Sequence, residues 1–82
     1  MKVYVLTCDS YNYEDYTQNS MLLGIYASID KAVAARGAFI KDEYGDYTPH
    51  IDDNNNVVIE EYFGGDKIAY SETYRIQEWA VQ

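Results

Sequence analysis

The amino-acid sequence predicts a small α+β domain, with one helix packed on one face of a four-stranded, mainly antiparallel sheet in the order β-β-α-β-β. Four segments are rich in β-branched and aromatic residues, and a segment between the second and third has apolar residues three and four positions apart. The 82 residues allow only one small core. Residues 1–82 are therefore expected to form a single domain.

The first two strands are predicted at residues 2–8 and 21–27. Both alternating faces of the first segment are apolar, which is typical of a central strand. Residues 9–20 carry loop residues interleaved with tyrosine and acid, and we expect the two strands to pair antiparallel across this connection. Gly24 inside the second strand indicates a bulge or a close approach of another part of the chain.

A helix is predicted to follow the second strand directly. Ser28 is suited to be its N-cap, and Asp30 falls in the first turn, where the helix dipole favours an anion. Apolar positions then recur in steps of three and four as far as Tyr44, over about four turns. Gly45 is a natural end for this helix.

The remainder of the chain predicts a long acidic connection followed by a β-hairpin. The connection, residues 42–56, overlaps the end of the helix, and Pro49 together with three asparagines argues against regular structure there. The third strand is predicted at residues 57–63 and the fourth at 67–80. Residues 64–66, Gly-Gly-Asp, are typical of the turn between them.

One face of the predicted sheet has no obvious cover, because a single helix covers only one side. Both sets of alternating strand residues are apolar, so the choice of covered face stays open. One set is Val3, Val5, Leu23, Ile25, Ile59 and Ile76, and the other is Tyr4, Leu6, Leu22, Tyr26, Val58 and Tyr62. The uncovered face is either an interface or is covered by the two long loops, whose tyrosines could pack there.

The net charge of the chain indicates which classes of partner it can bind. Six Lys and Arg against fourteen Asp and Glu give a net charge of −8. The cations are scattered along the chain, so direct binding to nucleic acid or to an anionic membrane is not expected. No secretory signal or membrane span is expected either, which favours a cytoplasmic protein. The acidity favours a basic protein partner, although acidity for solubility alone is the alternative.

Residue patterns for enzymatic chemistry are weak in this sequence. Cys8 and His50 are the only cysteine and histidine, and their predicted positions at a strand end and in an acidic loop do not favour a nucleophilic pair. Residues 52–56 begin like a calcium loop, but Val57 and Phe63 replace the glycine and glutamate that such a loop requires. We therefore predict no enzyme activity, no cofactor, and no catalytic or metal-binding residue.

Tyrosine beside acid is the more distinctive pattern. Tyrosine offers a large contact area with few rotors, and neighbouring carboxylates suit Arg and Lys on a partner. Such a surface can occupy a groove that normally holds nucleic acid, with acids in place of phosphates and rings in place of bases. Ordinary solvated loops anchored by tyrosine are the alternative. The predicted contact residues are Tyr11, Tyr13, Glu14, Asp15, Tyr16, Asp42, Glu43, Asp46, Tyr47, Asp52 and Asp53.

Three segments carry a resemblance to known proteins. The runs at residues 2–6, 24–32 and 74–79 resemble a class of short uncharacterised phage and bacterial proteins, which have a G-[I/V]-[Y/F]-x-S-x-x-K-A strand-to-helix junction and a closing Y-x-I-x-E-W strand. The resemblance implies the ββαββ fold and no catalytic residues. In size, acidity and tyrosine content the chain is also similar to phage-encoded anti-CRISPR and anti-restriction inhibitors.

These expectations together predict a function. The favoured hypothesis is a non-enzymatic inhibitor, encoded by a phage and acting in the host bacterial cytoplasm, that occupies a basic nucleic-acid-binding groove of a host defence complex. The alternative is a small homo-oligomeric module that uses its uncovered sheet face to associate. A small enzyme or metal protein is a third interpretation.

Overall fold

The computed structural model describes residues 1–45, 50–51, 56–65 and 67–81. Its single helix and its strands confirm the predicted α+β class and the order β-β-α-β-β, with one short strand added after the helix. The elements are β1 (Lys2–Asn12), β2 (Thr17–Tyr26), α1 (Ile29–Tyr44), β3 (His50–Ile51), β4 (Val57–Gly64) and β5 (Lys67–Ala80).

The strands form one sheet in the order β2-β1-β5-β4-β3, and each neighbouring pair is antiparallel. The long central pair, β1 and β5, runs from Lys2 opposite Ala80 to Asn12 opposite Tyr70 without a change of register. The prediction that the first strand is central is therefore confirmed. The two-residue strand β3 lies within the connection for which regular structure was not expected, and it pairs with the start of β4.

The first hairpin is longer than predicted. β1 continues to Asn12 and β2 begins at Thr17, so the prediction of a connection over residues 9–20 was wrong for all but 13–16. Polar residues continue both strands because they find partners across the ladder, as when the Ser20 hydroxyl donates a 2.7 Å hydrogen bond to Asp9.

A β-bulge interrupts the pairing of β1 with β2. Leu6 lies opposite Gly24 and Thr7 opposite Leu22, which leaves Leu23 as the extra residue. The predicted close approach at Gly24 is confirmed as well, since a Cβ added there would lie 2.5 Å from the hydroxyl of Tyr26. The Tyr26 ring therefore occupies the space that a larger residue would need.

Both predicted helix ends are confirmed. Ser28 has an extended backbone, and its side-chain hydroxyl accepts a 3.2 Å hydrogen bond from the backbone N–H of Lys31. Gly45, at φ 68°, ends α1 and donates its N–H to the Lys41 carbonyl at 2.8 Å. The helix between them buries Ala32, Arg36 and Ile40 against the sheet.

The face of the sheet beneath α1, here the covered face, carries the core. Ile40 packs with Val57, Ile59 and Tyr74, and Cys8, Leu23 and Tyr44 pack around this cluster. The opposite side is the uncovered face, and of the described helices and strands none lies over it. Its residues, by register, include Val3, Val5, Leu22, Ile25, Arg75 and Trp79.

Neither of the two face assignments derived from strict alternation is correct. Leu23 and Ile59 lie on the covered face, whereas Val5 and Ile25 of the same set lie on the uncovered one. The bulge at Leu23 changes the alternation along β2, and the register of β5 sets Ile76 opposite Leu6 instead of beside Val3 and Val5.

Apolar side chains remain exposed on the uncovered face. The exposed fractions of Leu22, Ile25 and Trp79 are 59%, 59% and 57%. Beside them Arg75 forms a 3.0 Å ion pair with Asp9. Within the described residues, the helix is too short and too polar to cross a membrane.

Candidate functional site

The predicted contact residues fall in three places. Tyr11, Tyr13, Glu14, Asp15 and Tyr16 lie at the tip of the β1–β2 hairpin, and Asp42 and Glu43 lie in the last turn of α1. The other four lie outside the described residues: Asp46, Tyr47, Asp52 and Asp53.

The hairpin tip holds its two acids in a defined turn. The Asn12 side-chain oxygen accepts hydrogen bonds from the backbone N–H of Glu14 at 2.9 Å and of Asp15 at 3.4 Å. Tyr16 follows in the left-handed region, at φ 56°. Its side chain is 81% exposed, so both carboxylates and this ring are presented to solvent.

The tyrosines that precede the turn form a ring contact of their own. The Tyr11 and Tyr13 centroids are 4.5 Å apart, and the rings meet at 64° in an edge-to-face arrangement. Tyr11 alternates with Asn12 along β1 and lies on the uncovered face beside Asp9 and Thr73. Tyr11 is therefore separated from the acids of the hairpin tip, whereas Tyr16 is exposed beside them.

Glutamates from separate elements line a groove on the opposite, covered side. This acidic groove has a volume of about 560 Å³ and lies where the β1–β2 turn, the end of α1 and the β4–β5 hairpin meet. It is lined by Asn12, Glu14, Glu43, Glu61, Ala69, Tyr70 and Glu72. The fold thus brings the predicted residues Glu14 and Glu43 together, although they are far apart in the sequence.

Glu72 forms the floor of the acidic groove and is 6% exposed. It accepts a 2.7 Å hydrogen bond from the Tyr70 hydroxyl and a 3.0 Å bond from the Tyr74 hydroxyl. Burial, followed by the hydrogen bond to Glu72, raises the pKa of Tyr70 to about 12. The same causes raise the pKa values of Tyr74 and Tyr44. Three neutral tyrosines thus surround one carboxylate.

The end of α1 adds to the negative field at the acidic groove. Asp42 and Glu43 occupy the last helical turn together with one cation, Lys41, where the unpaired carbonyls carry the negative end of the helix dipole. Acids in this position destabilise the helix, and Glu14 and Glu61 bring like charges to the same groove. The arrangement suits a cationic group from outside.

Cys8 lies beside Glu72, in a neighbouring cavity of about 210 Å³ that is also lined by Phe39 and Met21. Burial first, and then the charge of Glu72, raise the pKa of the Cys8 thiol to about 11. The thiol is therefore protonated near neutral pH, and this environment does not favour a nucleophile.

Five residues that line the acidic groove were not predicted from the sequence: Asn12, Glu61, Ala69, Tyr70 and Glu72. Tyr70, Glu72 and Tyr74 alternate along one strand, so they share a face, and this spacing could have indicated a carboxylate held between two rings. Within the described part of the chain, no three His, Cys, Asp or Glu side chains gather in a way that could hold a metal ion.

Comparison with known proteins gives no relative for this chain: no protein-family model, no curated protein and no solved structure matches it. The resemblance to short phage and bacterial proteins therefore stays a prediction.

Proposed function

We propose that this protein is a non-enzymatic inhibitor whose acidic groove binds basic side chains in a nucleic-acid-binding groove of another protein. The observation that supports it is the meeting of Glu14, Glu43 and Glu61 from three separate elements around one groove. The net charge of −8 favours the same class of partner.

The binding chemistry follows from the lining of the acidic groove. A lysine or arginine that enters it meets exposed carboxylates at the rim, and each contact is a charge-assisted hydrogen bond. The carboxylate of Glu72 is already hydrogen-bonded to tyrosine hydroxyls. The contacts with the partner are therefore made by Glu14, Glu43 and Glu61. The negative field also steers the encounter, so association slows as salt is added.

The tyrosines at the hairpin tip supply the second element of the proposal. Tyr16 is 81% exposed and stands beside Glu14 and Asp15. An exposed ring next to carboxylates can occupy the position of a stacked base while the acids occupy those of phosphates. Such a surface competes with nucleic acid for the same basic groove.

The host context of the proposal comes from the predicted resemblance and from composition. We propose a phage-encoded protein that acts on a bacterial defence complex, as anti-CRISPR and anti-restriction proteins do. The direct test uses a panel of purified CRISPR effector and restriction complexes bound to fluorescent DNA. Displacement of DNA from a member of the panel, measured by fluorescence anisotropy, is the expected result.

A matched pair of triple variants tests the role of the groove. The groove variant carries Glu14→Gln, Glu43→Gln and Glu61→Gln. The control carries Asp30→Asn, Glu60→Gln and Glu78→Gln, which remove the same charge elsewhere. Glu60 and Glu61 are neighbours on opposite faces of β4, because they pair with Ser71 and Tyr70. We expect the groove variant to lose at least tenfold in displacement and the control to keep most of it. Equal losses would assign the effect to net charge, and no displacement from any complex would contradict the proposal.

The exposed residues of the uncovered face favour a second candidate function. Leu22, Ile25 and Trp79 form an apolar set on that face, which suits a small homo-oligomeric module. Trp79→Asp would abolish association through this face. Light scattering on the wild type and this variant distinguishes the two functions, since an inhibitor acting through the groove does not depend on Trp79.

A further inference from the structure

β2 is an edge strand without a single charged residue. It is the outermost strand on one side of the sheet, and its ten residues are Thr-Gln-Asn-Ser-Met-Leu-Leu-Gly-Ile-Tyr. Natural edge strands are usually protected from pairing by lysine, proline, charge, short length or a β-bulge, and of these β2 has only the bulge at Leu23. In a chain with a net charge of −8, a long neutral edge marks the side where association meets the least repulsion.

Apolar side chains flank this edge on both faces of the sheet. On the covered face Met21 is 57% exposed, and it lines one cavity together with Phe39 of α1, which is 40% exposed. On the uncovered face Leu22 and Ile25 are each 59% exposed. A strand added beside β2 would bury apolar surface on both of its faces.

We propose that β2 pairs antiparallel with β2 of a second copy of this chain, around a two-fold axis, to form one continuous sheet. In such a pair each copy offers the same surface to the other, so Met21 and Leu22 of one copy meet the apolar residues of its partner. The backbone groups on the outer side of β2 find hydrogen-bond partners in the same step.

The direction of pairing follows from the position of the acids. Glu14 and Asp15 lie next to the beginning of β2, and antiparallel pairing places the two acidic turns at opposite ends of the new ladder. Ten strand residues separate them by about 30 Å. That distance exceeds the Debye length of about 8 Å at physiological salt, so the two turns do not repel each other.

The other edge of the sheet explains why association stops at two copies. There β3 has only two residues, which pair with Val57 and Val58 of β4. The long neutral edge therefore occurs on one side of the described sheet, and two-fold pairing uses it completely. The proposal does not depend on the acidic groove, because none of the residues that line the groove belongs to β2.

Sedimentation equilibrium over a dilution series tests the proposal. The 9.5 kDa chain is expected to give twice this mass at high concentration and to dissociate on dilution. Met21→Lys places a charge on the edge without touching the uncovered face, and we expect it to weaken the dimer at least tenfold. Ile51→Lys is the matched control, since Ile51 is 54% exposed on the opposite edge.

Hydrogen exchange provides a second readout that depends on the backbone. Amides of β2 are expected to exchange faster in diluted protein, whereas those of β5 are not. A monomer at every concentration would overturn the proposal. So would a dimer that Met21→Lys leaves intact and Trp79→Lys abolishes, because that result assigns association to the uncovered face.

Discussion

The hydroxyl of Tyr70 donates a 2.7 Å hydrogen bond to Glu72, two residues further along the same strand. Residues two apart in a strand share a face, so this bond lies on the covered side, where Tyr74 donates to the same carboxylate. A buried acid in the middle of the sheet thus has its oxygens hydrogen-bonded by two phenols.

Removal of this acid is expected to be the most destabilising change at the groove. Glu72→Ala leaves buried tyrosine hydroxyls without their acceptor, which costs about 2–4 kcal/mol in the free energy of unfolding. Glu72→Gln keeps one acceptor oxygen and should cost roughly half as much. Urea unfolding followed by circular dichroism measures both. Glu60→Gln, on the neighbouring strand, is the control, and an equal loss there would refute the role of Glu72.

Stability is expected to fall in alkaline solution. The native pKa of Tyr70 is raised from 10.0 to about 12, and those of Tyr44 and Tyr74 are raised too. Below pH 10 both states keep the phenolic protons, whereas above it the unfolded state releases protons that the native state retains. The contribution of Tyr70 to the free energy of unfolding is therefore lost as the pH rises from 10 to 12. Urea midpoints across this range measure it, and unchanged midpoints would contradict the assignment.

Cys8 is expected to react slowly with thiol reagents. A pKa raised from 9.0 to about 11 lowers the thiolate fraction at pH 8 about a hundredfold, and half-burial restricts access further. The rate of modification by Ellman's reagent should be well over tenfold below that of a free thiol. Glu72→Gln should accelerate it, because the charge of Glu72 is the second cause of the shift. A wild-type rate equal to that of free cysteine would disprove this description.

Opposite effects are expected from neutralising acids at the two ends of α1. Glu43→Gln removes an anion from the negative end of the helix and should raise the free energy of unfolding by about 0.3–1 kcal/mol. Asp30→Asn removes an anion from the positive end and should lower it by a similar amount. Thermal unfolding measures both variants. If Glu43 serves a partner, the more stable variant is also the weaker inhibitor, and a loss of stability in both would argue against the dipole explanation.

The helix was predictable because its boundaries depend on local chemistry. Ser28 supplies the first hydrogen bond and Gly45 adopts a positive φ, and both properties can be read from residue type. The face assignment was wrong because it kept strict alternation through the bulge that Gly24 indicated, and the extra residue at Leu23 places Leu22 and Ile25 on the same face. Strict alternation does not anticipate a bulge of one residue.

The acidic groove was predictable only in part. Glu14 and Glu43 stood out as acids beside tyrosines, but their meeting depends on how the hairpin and the helix pack on the sheet. Glu72 belongs to a strand whose alternating pattern was visible, yet its burial depends on α1. The two-residue strand β3 is too short for any periodic pattern to reveal.

The central ladder of the sheet joins the two most distant segments of the described chain, since Lys2 lies opposite Ala80. The β1–β2 and β4–β5 hairpins can form early because their strands are close in sequence, whereas pairing of β1 with β5 must close a loop of nearly the whole chain. We therefore expect pairing of β1 with β5 to be the slow step of folding. Because the hairpins form before this pairing, we expect substitutions in the outer strands to act on the refolding rate as well.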